Sequence, residues 1–148
     1  MSREHPWLDA LPEWPTKTIA VLATMNRAPY AIPVSAPLRA ADNLILFSLR
    51  RDRGSLARLR KRPQVALTIL ADGDIAFTAR GPARILQDRM IRAPEYAAVA
   101  IDVERIDDHR QAAFVIDSGI GRRWVDDAEQ RALRERVEEL SEFTSGGA

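Results

Sequence analysis

The sequence predicts a mainly β fold, a small antiparallel barrel or sandwich of about six to seven strands with one short interior helix and one C-terminal helix. Short apolar, partly β-branched segments recur along most of the 148 residues, with turn residues between them. A helical spacing of leucines interrupts them once, after Gly54 and Ser55, and a longer helical pattern runs from about Asp126 to Phe143. No repeat or linker is visible. Residues 1–148 are therefore expected to form one domain, with 1–16 as an N-terminal arm or lid and 126–143 as the closing helix.

Lys17 to Met25 (KTIAVLATM) predicts a buried strand, because it is apolar and partly β-branched. Asn26 to Pro29 supplies turn residues, and Tyr30 to Ala36 (YAIPVSA) reads as a second strand. Pro33 has no N–H to give, which restricts that strand to an edge, a bulge or an end. Ala40 to Asn43 turns into a third strand, Leu44 to Leu49, and short turns among the three predict a meander. A helix is expected from Ser55 to Arg62, with Ser55 as candidate N-cap and Pro63 as its stop. Gln64 to Ala71 is a fourth strand. Asp72 to Asp74 turns tightly into a fifth, Ile75 to Leu86, kinked at Gly81-Pro82. Ala97 to Ile106 and Ala112 to Asp117 read as the sixth and seventh. In the last helix Leu133, Val137 and Leu140 make one apolar stripe, and Asp126, Asp127 and Glu129 complement the dipole. The tail, Ser145 to Ala148, is expected to fray.

Composition narrows the function classes. Hydrophobic content of 46% and charged content of 29% are those of a soluble globular domain with a substantial core. No apolar run approaches the roughly 20 residues that span a bilayer. The start, MSREHPWLDALPEWP, has acidic residues and prolines where a signal peptide needs an apolar core, so a cytoplasmic location is expected. Lack of cysteine removes thiol nucleophiles, disulfides and thiolate metal sites. His5 and His109, the two histidines, lie far apart in sequence, so no zinc site is expected. A net charge of +1 argues against a dedicated nucleic-acid binder.

Within that near-neutral total, Arg50 to Arg62 holds seven cations against Asp52 alone, a local +6, while the rest of the chain sums to −5. Self-repulsion in such a cluster must be offset, by a bound phosphate-bearing ligand or by solvation and distant carboxylates. The expected helix divides the cluster. Arg50, Arg51 and Arg53 precede its N-terminus, where free amides and the dipole favour an anion and make neighbouring cations costly. Arg58, Arg60, Lys61 and Arg62 fall in its last turns, where the dipole favours cations without any ligand.

In order and spacing, AVLATM (Ala20 to Met25), PYAIPVS (Pro29 to Ser35), LFSLRR (Leu46 to Arg51) and ARLRKRPQVAL (Ala57 to Leu67) resemble the flavin-binding split-barrel proteins related to pyridoxamine 5′-phosphate oxidase. The later AIDVERIDDHRQAAFVID and GRRW are similar to a small, mostly bacterial subgroup of that superfamily. The resemblance implies a homodimeric split β-barrel with flavin mononucleotide (FMN) at the subunit interface. It implies coenzyme contacts from Ile32, Pro33, Val34 and Ser35, from Ser48, Leu49 and Arg50, and from Arg53, Gly54, Ser55 and Leu56, with Trp124 as a candidate at the flavin edge. Many members keep a lysine where this chain has Ser55, which leaves room for a deazaflavin coenzyme or for no coenzyme. Substrate-phosphate residues of pyridoxamine phosphate oxidases have no counterpart here, so that reaction is not expected.

Three functions stay open on this basis: an FMN oxidoreductase acting on a small substrate, a deazaflavin-dependent reductase, and a non-enzymatic flavin- or haem-binding protein. No side chain is singled out as catalytic. Trp124 reads first as a core or dimer-seam residue. His109 reads first as a loop histidine paired with Asp107 or Asp108, and second as a proton carrier or ligand contact. Thr78 and Arg80 read equally as cross-strand polar partners and as residues reaching a partner subunit's coenzyme. Trp7, Leu8, Leu11 and Trp14 are the apolar residues of the proline-rich arm.

Overall fold

A computed structural model describes residues 6–145, and its nine strands join one antiparallel sheet. They are β1 (Trp7–Leu8), β2 (Ile19–Asn26), β3 (Ala28–Ser35), β4 (Leu38–Ala41), β5 (Leu44–Arg50), β6 (Gln64–Ala71), β7 (Ile75–Gln87), β8 (Tyr96–Asp102) and β9 (Arg105–Asp108). Helix α1 (Gly54–Lys61) lies between β5 and β6, and α2 (Asp127–Ser145) closes the chain. The sheet order is β3-β2-β6-β7-β8-β5-β4, with β9 beside β7 and β1 beside β9. β3 comes close to β5 without pairing to it, so the sheet curls into a barrel with one open seam, a split barrel. Pro33 sits on β3 at the sheet edge, where its missing N–H disturbs no ladder.

β7 makes the curl possible. Its first part pairs with β6 on one side and β9 on the other, and from Ala83 onward it pairs with β8. The change of partner falls at the expected kink. A Cβ added at Gly81 would lie 2.0 Å from the Asp102 carbonyl oxygen, a backbone atom that cannot swing aside. This crossing also breaks the strand expected from Ala97 to Ile106. β8 ends at Asp102, the Val103 N–H donates to the Asn43 carbonyl and the Glu104 N–H to the Arg80 carbonyl (both 2.8 Å), and β9 begins at Arg105.

Other boundaries differ for local reasons. The turn expected over Asn26 to Pro29 contracts to Arg27, whose φ of 69° reverses the chain in one residue, so β3 starts at Ala28. β4 is an additional strand paired to β5 with a bulge between Arg39 and Ala41. Ala112 to Asp117 is not a strand. Turn aspartates between β6 and β7 capture its backbone instead: the Ile116 N–H donates to Asp74 Oδ1 (2.9 Å), the Asp74 N–H to the Ile116 carbonyl (3.0 Å) and the Gly119 N–H to Asp72 Oδ1 (3.0 Å). Ser55 is not the N-cap of α1. Arg53 holds that position, and no side chain caps the helix.

Leu22, Ile45, Phe47, Leu67, Ile69, Phe77, Val99 and Ile101 fill the barrel, and Leu56 and Leu59 of α1 join that core. Each such side chain contributes about 2 kcal/mol when fully buried. On β8 the alternation sends Ala97, Val99 and Ile101 inward. Ala98 and Ala100 join an outer cluster with Leu46, Met90 and Leu140, against which Phe143 packs. Glu139, buried on α2, accepts the N–H groups of Ile91 (2.8 Å) and Arg92 (2.7 Å), which locks the helix to the β7–β8 loop. The N-terminal arm packs on the barrel itself. Trp7–Leu8 pairs with β9, and Trp14 stacks near Phe77 (centroids 5.6 Å) while donating to the Pro37 carbonyl (2.8 Å). Residues 1–5 of the arm and 146–148 of the tail lie outside the described residues.

Gly81→Ala is expected to lower stability by about 3 kcal/mol, the upper range for overpacking against backbone. Gly121→Ala, where an added Cβ meets nothing within 4 Å, is expected to change it by less than about 0.5 kcal/mol. Urea unfolding of the two variants measures the difference; equal midpoints would contradict the role given to Gly81.

Candidate functional site

Where the seam between β3 and β5 stays open, a cavity of about 430 Å³ forms. β3 supplies Ile32, Pro33, Val34 and Ser35, and β5 supplies Ser48, Leu49 and Arg50. Arg53, Gly54, Ser55 and Arg58 line it from the start of α1, with Tyr96 from β8 and Arg136 from α2. Ten of the twelve residues singled out in the sequence thus converge on one place. Two do not. Leu56 turns into the core, one helical step beyond Ser55, and Trp124 lies in the irregular segment before α2 with Arg122 stacked 4.9 Å from its ring.

Four arginines line the cavity and no carboxylate does. Arg50 is neutralised by Asp52 through two hydrogen bonds, 3.1 and 3.2 Å, and these hold the Asp52 carboxyl below the usual aspartate range. Arg53 approaches the same carboxylate only to 4.0 Å. Arg58 folds back toward the N-terminus of its helix, donates to Thr24 Oγ1 (2.9 Å) and stacks over Tyr30 (3.9 Å). Gly54 makes room for it, since a Cβ there would sit 2.9 Å from Arg58 Nη1. Arg136 donates to Ser48 Oγ (3.2 Å) and stacks over Tyr96 (3.9 Å), and burial pushes its pKa down.

The start of α1 adds a second source of positive potential. Its first amides have no intrahelical partner, and no side chain caps them. Ser55 is 2% exposed and lines the cavity, and its hydroxyl makes no hydrogen bond to the described residues. Uncapped amides, an unbonded hydroxyl and two guanidiniums form a site suited to an anion.

The division of the basic cluster therefore shifts by one residue. Arg58 belongs with the cavity and not with the dipole-compensating group. Arg51 and Arg60 share Asp88, which removes both from the site. Arg58, Tyr96 and Arg136 are lining residues that the sequence reading did not select. Arg136 had a signal: it lies three residues after Leu133 and four before Leu140, on the apolar stripe of α2. Tyr96 had none.

His109 makes no hydrogen bond or ion pair with Asp107 or Asp108, and acts on Asp108 only through its nearby charge. Its Nε2 lies 2.7 Å from Thr78 Oγ1, which is 2.7 Å from Thr68 Oγ1, while Arg80 and Arg105 bind Asp107 and Arg110 binds Asp108. None of these lines the cavity. A second hollow of about 550 Å³ between β2, β6 and β7 contains Arg80 and Arg105 with Glu104, and both arginines are already paired with Asp107 beside it. Among the described residues no cluster of metal-ligating side chains occurs, and no helix is long and apolar enough to cross a membrane.

No protein-family model and no curated protein sequence matches the chain. Solved structures do match. A Clostridium acetobutylicum protein related to general stress protein 26 of B. subtilis, of the pyridoxinephosphate oxidase family, is 18% identical with a TM-score of 0.51, over 63% of this chain and 81% of that one. Group A Streptococcus HupZ is 16% identical with a TM-score of 0.54, over 70% and 90%. An F420 reductase is 11% identical with a TM-score of 0.53, over 63% and 91%. At such identities the likeness is one of fold, the split barrel of pyridoxamine 5′-phosphate oxidase-like structures.

Asp52→Asn removes the carboxylate that opposes Arg50 and Arg53. The affinity for pyrophosphate at low salt, measured by calorimetry, is expected to rise about threefold, as for an exposed charge pair. An unchanged affinity would mean that these arginines do not face the bound anion.

Proposed function

We propose that the cavity binds a flavin-type coenzyme, FMN first, and that the protein is an oxidoreductase that exchanges electrons or a hydride with a small substrate. The observation that carries this is the uncapped start of α1, where the unbonded Ser55 hydroxyl, Arg53 and Arg58 converge. A phosphate monoester supplies acceptors for all of them. Ile32, Pro33, Val34 and Leu49 give an apolar bed for a flat ring, and the free edge of β3 offers backbone groups to its polar rim. When bound, a flavin supplies the redox chemistry, and the residues of the chain anchor and orient it. No catalytic side chain is assigned.

A deazaflavin coenzyme is the second reading. Ser55 where related sequences keep lysine, two cavity arginines beyond Arg50 and Arg53, and the likeness to an F420 reductase support it. A haem-binding role has less support: no His, Cys or Met lines the cavity, and its one other residue type that can hold haem iron, Tyr96, is stacked under Arg136. Homodimerisation is part of the proposal. Val21, Met25 and Leu70 lie exposed on the barrel wall, and Phe114 and Val115 are 57% and 65% exposed on the segment before α2. Apolar surface of this kind in one chain fits a self-complementary interface.

The visible spectrum of the purified protein, followed by titration with FMN and with a deazaflavin, tests the coenzyme; a protein that binds neither overturns both enzyme readings. Arg53→Ala is expected to weaken FMN binding at least about tenfold, the loss of a charge-assisted hydrogen bond. Arg60→Ala, whose partner is Asp88, is expected to leave it unchanged. Flavin fluorescence on titration reads both, and equal losses would contradict the placement of the phosphate.

A further inference from the structure

The cavity arginines form two poles. Arg53 and Arg58 flank the start of α1 and suit one phosphate. Arg136 belongs to another element and another environment. It comes from α2 and lies over the Tyr96 ring at 3.9 Å, with the Arg50 guanidinium 5.8 Å from the same ring. Glu139 and Leu140, the next turn of the same helix, are buried against the β7–β8 loop and the outer cluster, so Arg136 is held there and does not swing free.

Its hydrogen bonding is incomplete. Nε donates to Ser48, and no carboxylate among the described residues lies within ion-pair distance of the guanidinium. Glu129, on the same helix, acts on it only from beyond ion-pair distance, and a half-buried cation so weakly compensated is an unfavourable arrangement unless a ligand completes it. The two Nη groups of an arginine match the two oxygens of a carboxylate, and the Tyr96 ring beneath the guanidinium adds an aromatic edge for a flat group to pack against. Arg50 cannot take this part, because Asp52 already occupies its fork.

We propose that Arg136, with Ser48 and Tyr96, is a subsite for the carboxylate of the substrate, so that the protein acts on small anionic molecules with a flat or conjugated group beside the carboxylate. This rests on the coenzyme reading, in which the pole at α1 is filled by the coenzyme phosphate and Arg136 meets a different molecule. Arg136 is then a specificity-determining residue and not an anchor of the coenzyme.

Benzoate and its neutral analogue benzamide are the probes, followed by ligand-observed NMR on protein with and without FMN. Benzoate is expected to bind the wild type about tenfold more tightly than benzamide, as a charge-assisted bidentate pair requires. Arg136→Gln is expected to remove that difference, and Arg136→Lys to leave part of it. Arg53→Ala is expected to keep benzoate binding within about twofold. Arg136→Gln gives up the Ser48 bond and the Tyr96 contact but also relieves a partly desolvated charge. Its melting temperature is therefore expected to stay within about 4 °C of the wild type, and a larger drop would mark Arg136 as structural and count against the proposal. Benzoate that ignores the Arg136→Gln change, or that fails to bind the wild type, overturns the proposal. So does a loss of FMN affinity in Arg136→Gln as large as in Arg53→Ala. If FMN fails to bind any form while benzoate still depends on Arg136, the coenzyme reading falls and the subsite stands.

Discussion

At position 81 the Asp102 carbonyl oxygen occupies space that any side chain would need, 2.0 Å from where a Cβ would be. That contact lets one long strand serve β6 and β9 before the kink and β8 after it. A straight β7 would keep one set of neighbours and leave an open sheet. With the kink, β8 carries β5 round to face β3, and the two edges approach without pairing. The cavity is the space this leaves. Its position is therefore fixed by backbone packing at the β7 kink. Val34 and Leu49 of its lining also belong to the barrel core, and Ile32 packs against that core; the other lining residues can vary in chemistry with less effect on the fold.

The charge of the site follows from where the carboxylates are. Asp52 and Asp88 meet Arg50, Arg51 and Arg60 at the surface, in exposed pairs that contribute between about 0 and 1 kcal/mol each. Arg58 and Arg136 find a threonine, a serine and two tyrosine rings instead. Such contacts orient a guanidinium, and a cation over an aromatic ring gains roughly 0.5 to 2 kcal/mol, but neither cancels its charge. Compensation is thus spent on the outside of the cluster, and the net positive potential points into the cavity.

How much of this was legible in the sequence depends on how local each cause is. The strands of the barrel are set by period-2 apolar patterns and Gly, Pro or Asp turns, and Pro33 marked the edge strand through a missing N–H. Ala97 to Ile106 has the same pattern throughout, but its break comes from Gly81, about twenty residues away and across the sheet. Ala112 to Asp117 alternates like a strand, and only the reach of Asp72 and Asp74 across the fold explains why it is not one. In the cavity, ten residues lie in two contiguous runs and a loop and could be selected together. Arg58 depended on which way a long side chain turns, and Tyr96 and Arg136 on how α2 docks, which no local pattern encodes.

Two kinds of unmet backbone demand face each other across the seam. One is the free edge of β3, whose groups have no strand partner on that side. The other is the start of α1, whose first amides have no cap. Backbone groups of either kind are costly when a ligand or side chain shuts water away from them without pairing them, and a split barrel that closed its seam would satisfy the first while shutting access to the second. An inorganic anion would satisfy the helix and leave the strand edge bare. A flat heterocycle alone would do the reverse. The pairing of these two demands, more than the number of arginines, is what favours a ligand with a polar ring at one end and a phosphate at the other.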